Sequence, residues 1–131
     1  MPEESRGDSA VIRGPFYGQL DHQEYDWLCQ RLETELTNYR QAGFQNAKNR
    51  MEYERMKSLA IVSQCDDGKT ITYAREAVKA DEEISDLQFA LDCSQVLVDS
   101  CKENINAIKK RMDFVRSCME RDWAMARYMP G

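Results

Sequence analysis

Proline and glycine are scarce in this chain, three and six in 131 residues. Pro2, Pro15 and Pro130 all lie near the ends, so residues 19 to 129 lack the residue that interrupts helices and sheets. Histidine is nearly absent, with His22 alone, and the five cysteines (29, 65, 93, 101 and 118) form no C-x-x-C pair. That argues against a zinc site and against a disulfide framework. No apolar run approaches the roughly 18 residues a membrane-spanning helix needs. Residues 1–18 carry acidic side chains where a secretory leader would be basic and apolar, which predicts an intracellular, cytoplasmic protein. There is no glycine-rich phosphate loop, no paired histidine and carboxylate, and no serine or cysteine beside a plausible base. These gaps predict a protein without catalytic activity, without a cofactor and without a metal.

What remains is a helical chain, 42% hydrophobic and 31% charged. Its strongest signal is a seam: Tyr73, Ala77, Ala80, Ile84, Leu87, Leu91, Ser94, Val98, Cys101, Ile105, Ile108, Met112, Val115 and Met119. These positions alternate steps of four and three, with Ser94 the one plainly polar member. A heptad repeat held this long predicts one long helix, from about residue 70 to 119 or beyond, that buries a stripe against other helices. Ile84, Leu87, Leu91, Val98, Ile105, Ile108, Met112 and Val115 are the candidate oligomerisation residues. Basic Lys102, Lys109 and Arg116 flank the seam on one side, and acidic Asp92, Asp99, Asp113 and Glu120 on the other. Phe89, Val96, Leu97, Ala107 and Phe114 form a second apolar set away from it. One partner helix hardly covers both sets, so self-association is favoured over a lone hairpin whose first helix folds widely enough to cover both.

The rest of the chain divides around that helix. Residues 1–18 read as a flexible arm; its Arg6-Gly7-Asp8 has an integrin-type look that short sequences often show by chance. Residues 19–131 read as a helical hairpin and oligomerisation domain, all-α, with its turn near 65–70. Asp21 as N-cap, Glu24 three residues on, and Leu20 with Tyr25 as a staple predict a helix start at Asp21. Tyr25, Leu28, Leu32, Leu36 and Tyr39 continue the helix, and Gly43 marks a kink or a close crossing. Cys65-Asp66-Asp67-Gly68-Lys69 is the strong break, with Thr70 or Thr72 to cap the next helix. Asp81-Glu82-Glu83 reads as an acidic, solvated stretch of helix rather than a metal site. Trp123 and Tyr128 read either as caps on the hairpin's core or as part of a docking tail.

The net charge of −5 conceals an alternation. Residues 40–64 carry +3 and residues 65–99 carry −6. Arg40, Lys48, Arg50, Arg55 and Lys57 cluster in the first helix with Phe44 and Tyr53 among them. Cations that track a phosphate backbone and aromatics that stack on unpaired bases are the ingredients of single-strand binding. The other reading is ion pairing within the chain, to which Glu52 and Glu54 contribute.

One segment resembles a known family. Ala80-Asp81, then Leu91, Leu97, Asp99 and Cys101, then Ala107-Ile108-Lys109 and Arg111, resembles the corresponding helix of UvsY-type phage recombination mediators. The plan is similar as well: a helix, a short break with Gly and Asp, then a long helix ending in basic residues. The resemblance implies an all-helical, ring-forming homo-oligomer that binds single-stranded DNA. It also implies help in loading a RecA-like recombinase onto strands coated by single-strand-binding protein, within an infected bacterial host. The family carries a Lys-Ala-Arg-Leu segment linked to DNA binding; the nearest counterpart here is Lys57-Ser58-Leu59-Ala60, which keeps the lysine and lacks the arginine. The alternative is a small helical adaptor or inhibitor that captures a host protein without binding DNA. Its docking face would be Glu24, Asp26, Glu33, Glu35 and Trp27, or the C-terminal stretch from Trp123 to Met129.

Overall fold

The computed structural model of the chain describes residues 17–128, all in helices or the short turns between them. Among these residues there are three helices: α1 (Tyr17–Asp66), α2 (Ile71–Lys79) and α3 (Glu82–Tyr128). The all-α expectation holds among the described residues. The predicted arm covers residues 1–16, which lie outside the described part; Tyr17 and Gly18, also assigned to it, begin α1.

Two local signals act as the sequence suggested. The end of α1 is a Schellman motif: Lys69 N–H reaches Gln64 C=O at 3.1 Å and Gly68 N–H reaches Cys65 C=O at 3.0 Å. Gly68 sits at φ 89°, a backbone region unfavourable for residues that carry a Cβ. Thr70 then caps α2, its hydroxyl oxygen accepting from Tyr73 N–H at 3.2 Å.

Three expectations fail. The long helix is not continuous from 70, because the chain breaks at Ala80–Asp81. Asp81 is an N-cap: its carboxylate accepts from Ile84 N–H at 3.1 Å, and Glu82 and Glu83 follow in the first turn, where the helix dipole favours acid. The break turns α2's face relative to the seam's count. Ala74 and Val78 are buried there, while the seam's Tyr73 and Ala80 are exposed. The helix start is also earlier than predicted. Asp21 is not an N-cap but a buried residue inside α1, and Glu24 is drawn into a long-range ion pair instead of a capping box. Finally, α1 runs through Gly43 without interruption, and a Cβ added there meets nothing within 4 Å. Gly43 does not mark a close crossing.

The described residues fall into two compact units, residues 17–34 with 106–128, and residues 35–105. In the first unit the start of α1 packs antiparallel on the end of α3. Leu28, Ile108, Met112 and Val115 form its buried cluster, with Tyr25, Cys29, Leu32 and Met119 packed around them. Glu24 and Arg111 close one side with a forked ion pair, 2.7 Å from Nε to Oε2 and 3.0 Å between the other arms. This hydrogen bond, more than any other influence, raises the Arg111 pKa above its ordinary value. Arg116 donates to the Tyr25 hydroxyl at 3.0 Å.

The second unit is held differently. Its buried apolar residues are Ala42, Ala74, Val78, Ile84, Cys101 and Ile105. Between α1 and α3 the bonds are polar: Asn46 Nδ2 donates to Ser94 Oγ at 3.0 Å, and Asn49 Nδ2 donates to the Ala90 carbonyl at 3.2 Å. Ser94 in turn donates to the Leu91 carbonyl at 2.8 Å. The one polar position of the seam is therefore buried and paired, with Asn46 as its partner on α1.

Candidate nucleic-acid interface

The five predicted cations all lie on the α1 stretch of the second unit, yet they do not share a face. The inward face of that stretch is marked by buried Ala42 and Asn46. Arg50 and Lys57 border it. Arg50 donates to Gln95 Oε1 on α3 and to Asn46 Oδ1, both at 3.3 Å, and Lys57 lies half-buried over the Tyr53 ring, 5.5 Å from its centre. Arg50, itself exposed, thus bridges α1 to α3, while the Lys57 contact stays within α1.

Arg40, Lys48 and Arg55 point the other way, all exposed. The steps from Arg40 through Phe44, Lys48, Met51 and Arg55 are four, four, three and four, which keeps all five on one helix face. Phe44 sits between the first two cations and is 77% exposed. The helical rise places Arg40 and Lys48 about 12 Å apart, with the ring midway. Arg55 is tied to Glu52 by an exposed pair at 3.1 Å, a contact of small energetic weight. Tyr53, the other aromatic of the cluster, is turned inward beneath Lys57 and cannot offer an open ring face on this side.

Among the oligomerisation candidates, Ile84, Ile105, Ile108, Met112 and Val115 are buried and Leu87, Leu91 and Val98 half-buried within the single chain. The seam is closed by the chain's own helices. The second apolar set is what stays open: Phe89 is 69% exposed, and Val96, Leu97 and, in the other unit, Phe114 are exposed too.

The acidic docking face considered in the sequence is in part engaged within the chain. Glu24 is engaged by Arg111 and Glu35 is buried, and Trp27 lies beneath the Arg31 guanidinium at 5.7 Å. At the C-terminal end Trp123 is 66% exposed, so it does not cap a core; Tyr128's side chain lies outside the described part. Among the described residues no three His, Cys, Asp or Glu gather as a metal site, and no helix is long and apolar enough to cross a membrane.

The outward line was readable in the sequence from the spacing of Arg40, Phe44 and Lys48 alone. The bond from Arg50 to α3 was not, because its partner Gln95 is 45 residues away. Comparison with protein families, with curated proteins and with solved structures returns no match.

Proposed function

We propose that this protein is a non-catalytic, self-associating helical mediator that binds single-stranded DNA and helps load a RecA-like recombinase onto strands held by single-strand-binding protein. The observation that carries the DNA-binding part is the outward line of Arg40, Phe44 and Lys48: two exposed cations with an open aromatic ring between them. Cations attract the phosphate backbone, and a ring with a free face stacks on an unpaired base of any identity. A single line of this size binds weakly. Repetition of the line on several copies turns it into a strand-tracking surface through effective concentration. The recombinase and the single-strand-binding protein come from the resemblance to UvsY-type mediators, as does placement in an infected bacterial cell.

The test compares two charge reversals by fluorescence anisotropy with a labelled oligonucleotide. The outward pair, Arg40→Glu with Lys48→Glu, is expected to weaken binding at least tenfold and to flatten its salt dependence. The inward pair, Arg50→Glu with Lys57→Glu, is expected to change affinity far less. Equal losses from both pairs would remove the outward line as the binding surface, and no binding by the parent chain would remove DNA binding altogether.

A further inference from the structure

We propose that α2 is a two-register switch that straightens onto α3. In one state the chain breaks at Ala80–Asp81 and buries Ala74 and Val78. In the other, residues 71–84 form one helix that buries Tyr73, Ala77 and Ala80. Neither state depends on DNA binding. Both registers are written into the same residues. Ala74 and Val78 stand four apart and are 0% and 4% exposed. Tyr73, Ala77 and Ala80 run by steps of four and three into buried Ile84, yet Tyr73 and Ala80 are exposed and Ala77 is half-buried. Adjacent helical positions differ by about 100°, so a partial turn of α2 about its own axis exchanges the two faces. Three of these five switching residues are alanines, whose small side chains interlock little with a neighbour and fix register weakly.

The break is shallow. It contains neither Gly nor Pro, and Ala80 stays in the right-handed helical region at φ −89° and ψ −5°. Among the described residues only Gly68 has positive φ. Ala80 N–H and Asp81 N–H still reach back three residues, to Ala77 C=O at 3.2 Å and Val78 C=O at 3.1 Å, as in a tightened last turn. Ser85 N–H already bonds to Asp81 C=O at 2.9 Å as α3 begins. What holds the bend is the Asp81 carboxylate on Ile84 N–H at 3.1 Å, with the Ser85 hydroxyl donating to Lys79 C=O at 3.5 Å. A continuous helix replaces that cap with main-chain bonds from residues 82–84 to the carbonyls four before them. It also trades Val78 for Tyr73 in the buried face, and Lys69, 5.2 Å over the Tyr73 ring, gives up that contact. Thr70 caps either form, because its bond to Tyr73 N–H precedes the break. Hydrogen bonds and apolar burial are exchanged rather than lost, which is what lets two packings of one sequence coexist. Straightening adds three positions to the regular seam of α3 and carries Arg75, Glu76 and Lys79 round to a new side of the second unit.

Two variants of the full chain push the switch in opposite directions, and NMR at a concentration where the chain is monomeric reads them. Asp81→Ala removes the cap and puts a better helix former at the break. Glu82→Pro suits the first position of a separate α3, but in a continuous helix it lacks the N–H for Val78 C=O and clashes there. Relaxation dispersion is expected to show exchange in the parent confined to residues 71–84. Asp81→Ala is expected to shift the populations about tenfold towards the straight form. Its Tyr73 ring becomes shielded from a soluble paramagnetic probe, its Val78 methyls become accessible, and helical Cα shifts run unbroken through residues 79–83. Glu82→Pro is expected to abolish the exchange and keep Val78 shielded. A parent without exchange whose Asp81→Ala variant keeps Val78 shielded and Tyr73 accessible overturns the switch. So does an Asp81→Ala variant with both side chains accessible, which marks melting of α2, or exchange that persists in Glu82→Pro.

Discussion

The two units close the same heptad seam in opposite ways. In residues 17–34 with 106–128, large side chains do the work: Leu28, Ile108, Met112 and Val115 bury each other, and a forked Glu24–Arg111 pair borders them. In residues 35–105 the buried apolar residues are small or branched, the helices are joined by Asn46, Asn49 and Arg50, and Phe44, Met51, Phe89, Val96 and Leu97 face outward. The same periodic pattern thus makes a core in one place and a polar joint in the other. The difference teaches where to look for function. The first unit buries Leu28, Ile108, Met112 and Val115 together for stability, although Trp27, Phe114 and Trp123 stay exposed on it; the second keeps its aromatic and long apolar groups outside a core of small and branched residues.

That contrast breaks most visibly under truncation to alanine. Leu28→Ala is expected to destabilise the chain by about 2–5 kcal/mol, because it removes a buried side chain from the centre of the first unit's cluster. Phe89→Ala, in the second unit, is expected to stay within about 0.5 kcal/mol for the monomer, as exposed positions usually do. Urea unfolding at a concentration where the chain is monomeric measures both. A large loss for Phe89→Ala would mean that its ring packs against the chain rather than facing outward.

The polar joint gives the next largest effect. Asn46→Ala removes the hydrogen bonds to Ser94 and to the Leu91 carbonyl and is expected to cost about 1–2 kcal/mol. Asn46→Leu combined with Ser94→Ala removes both partners together and is expected to recover most of that loss, since no buried polar group is left waiting for the other. Register suffers instead: the double variant is expected to show broader side-chain NMR signals in residues 35–105 than the parent.

Gly43 and Gly68 sharpen the picture with smaller effects of opposite sign. Gly43→Ala enters open space in a continuous helix and is expected to stabilise by up to about 1 kcal/mol. Gly68→Ala is forced to hold φ 89° in the Schellman turn and is expected to cost about 1 kcal/mol or slightly more. Thermal melts of the two variants beside the parent read both.

Much of this architecture was legible because it is local or periodic. Gly68 and Thr70 announce their turn and cap by residue type alone, and the seam from Ile84 to Met119 survives intact because a heptad needs no knowledge of its partner. The misses have one physical cause in common: tertiary contacts took over groups that looked locally committed. Glu24 reads as a capping-box residue, yet Arg111, 87 positions later, offers it a forked pair. Arg50 reads as a free cation, yet Gln95 accepts from it. The break at Ala80–Asp81 was hidden for a different reason, since the seam's steps of four and three continue across it and Asp81 reads as one more acid in an acidic run. Its capping role appears only with the hydrogen bond to Ile84 N–H. The division of the basic cluster into outward and inward sides was available from helical spacing, and it is this division that moves the candidate DNA contact to Arg40, Phe44 and Lys48.

The central proposal is a protein without a catalytic site that acts by assembling and by holding a single strand on the repeated assembly. Native mass spectrometry of the full chain, with and without a single-stranded oligonucleotide, tests both halves at once. The expected result is an oligomer larger than a dimer whose mass rises by one oligonucleotide per assembly. A monomer or dimer whose mass is indifferent to the strand would contradict it.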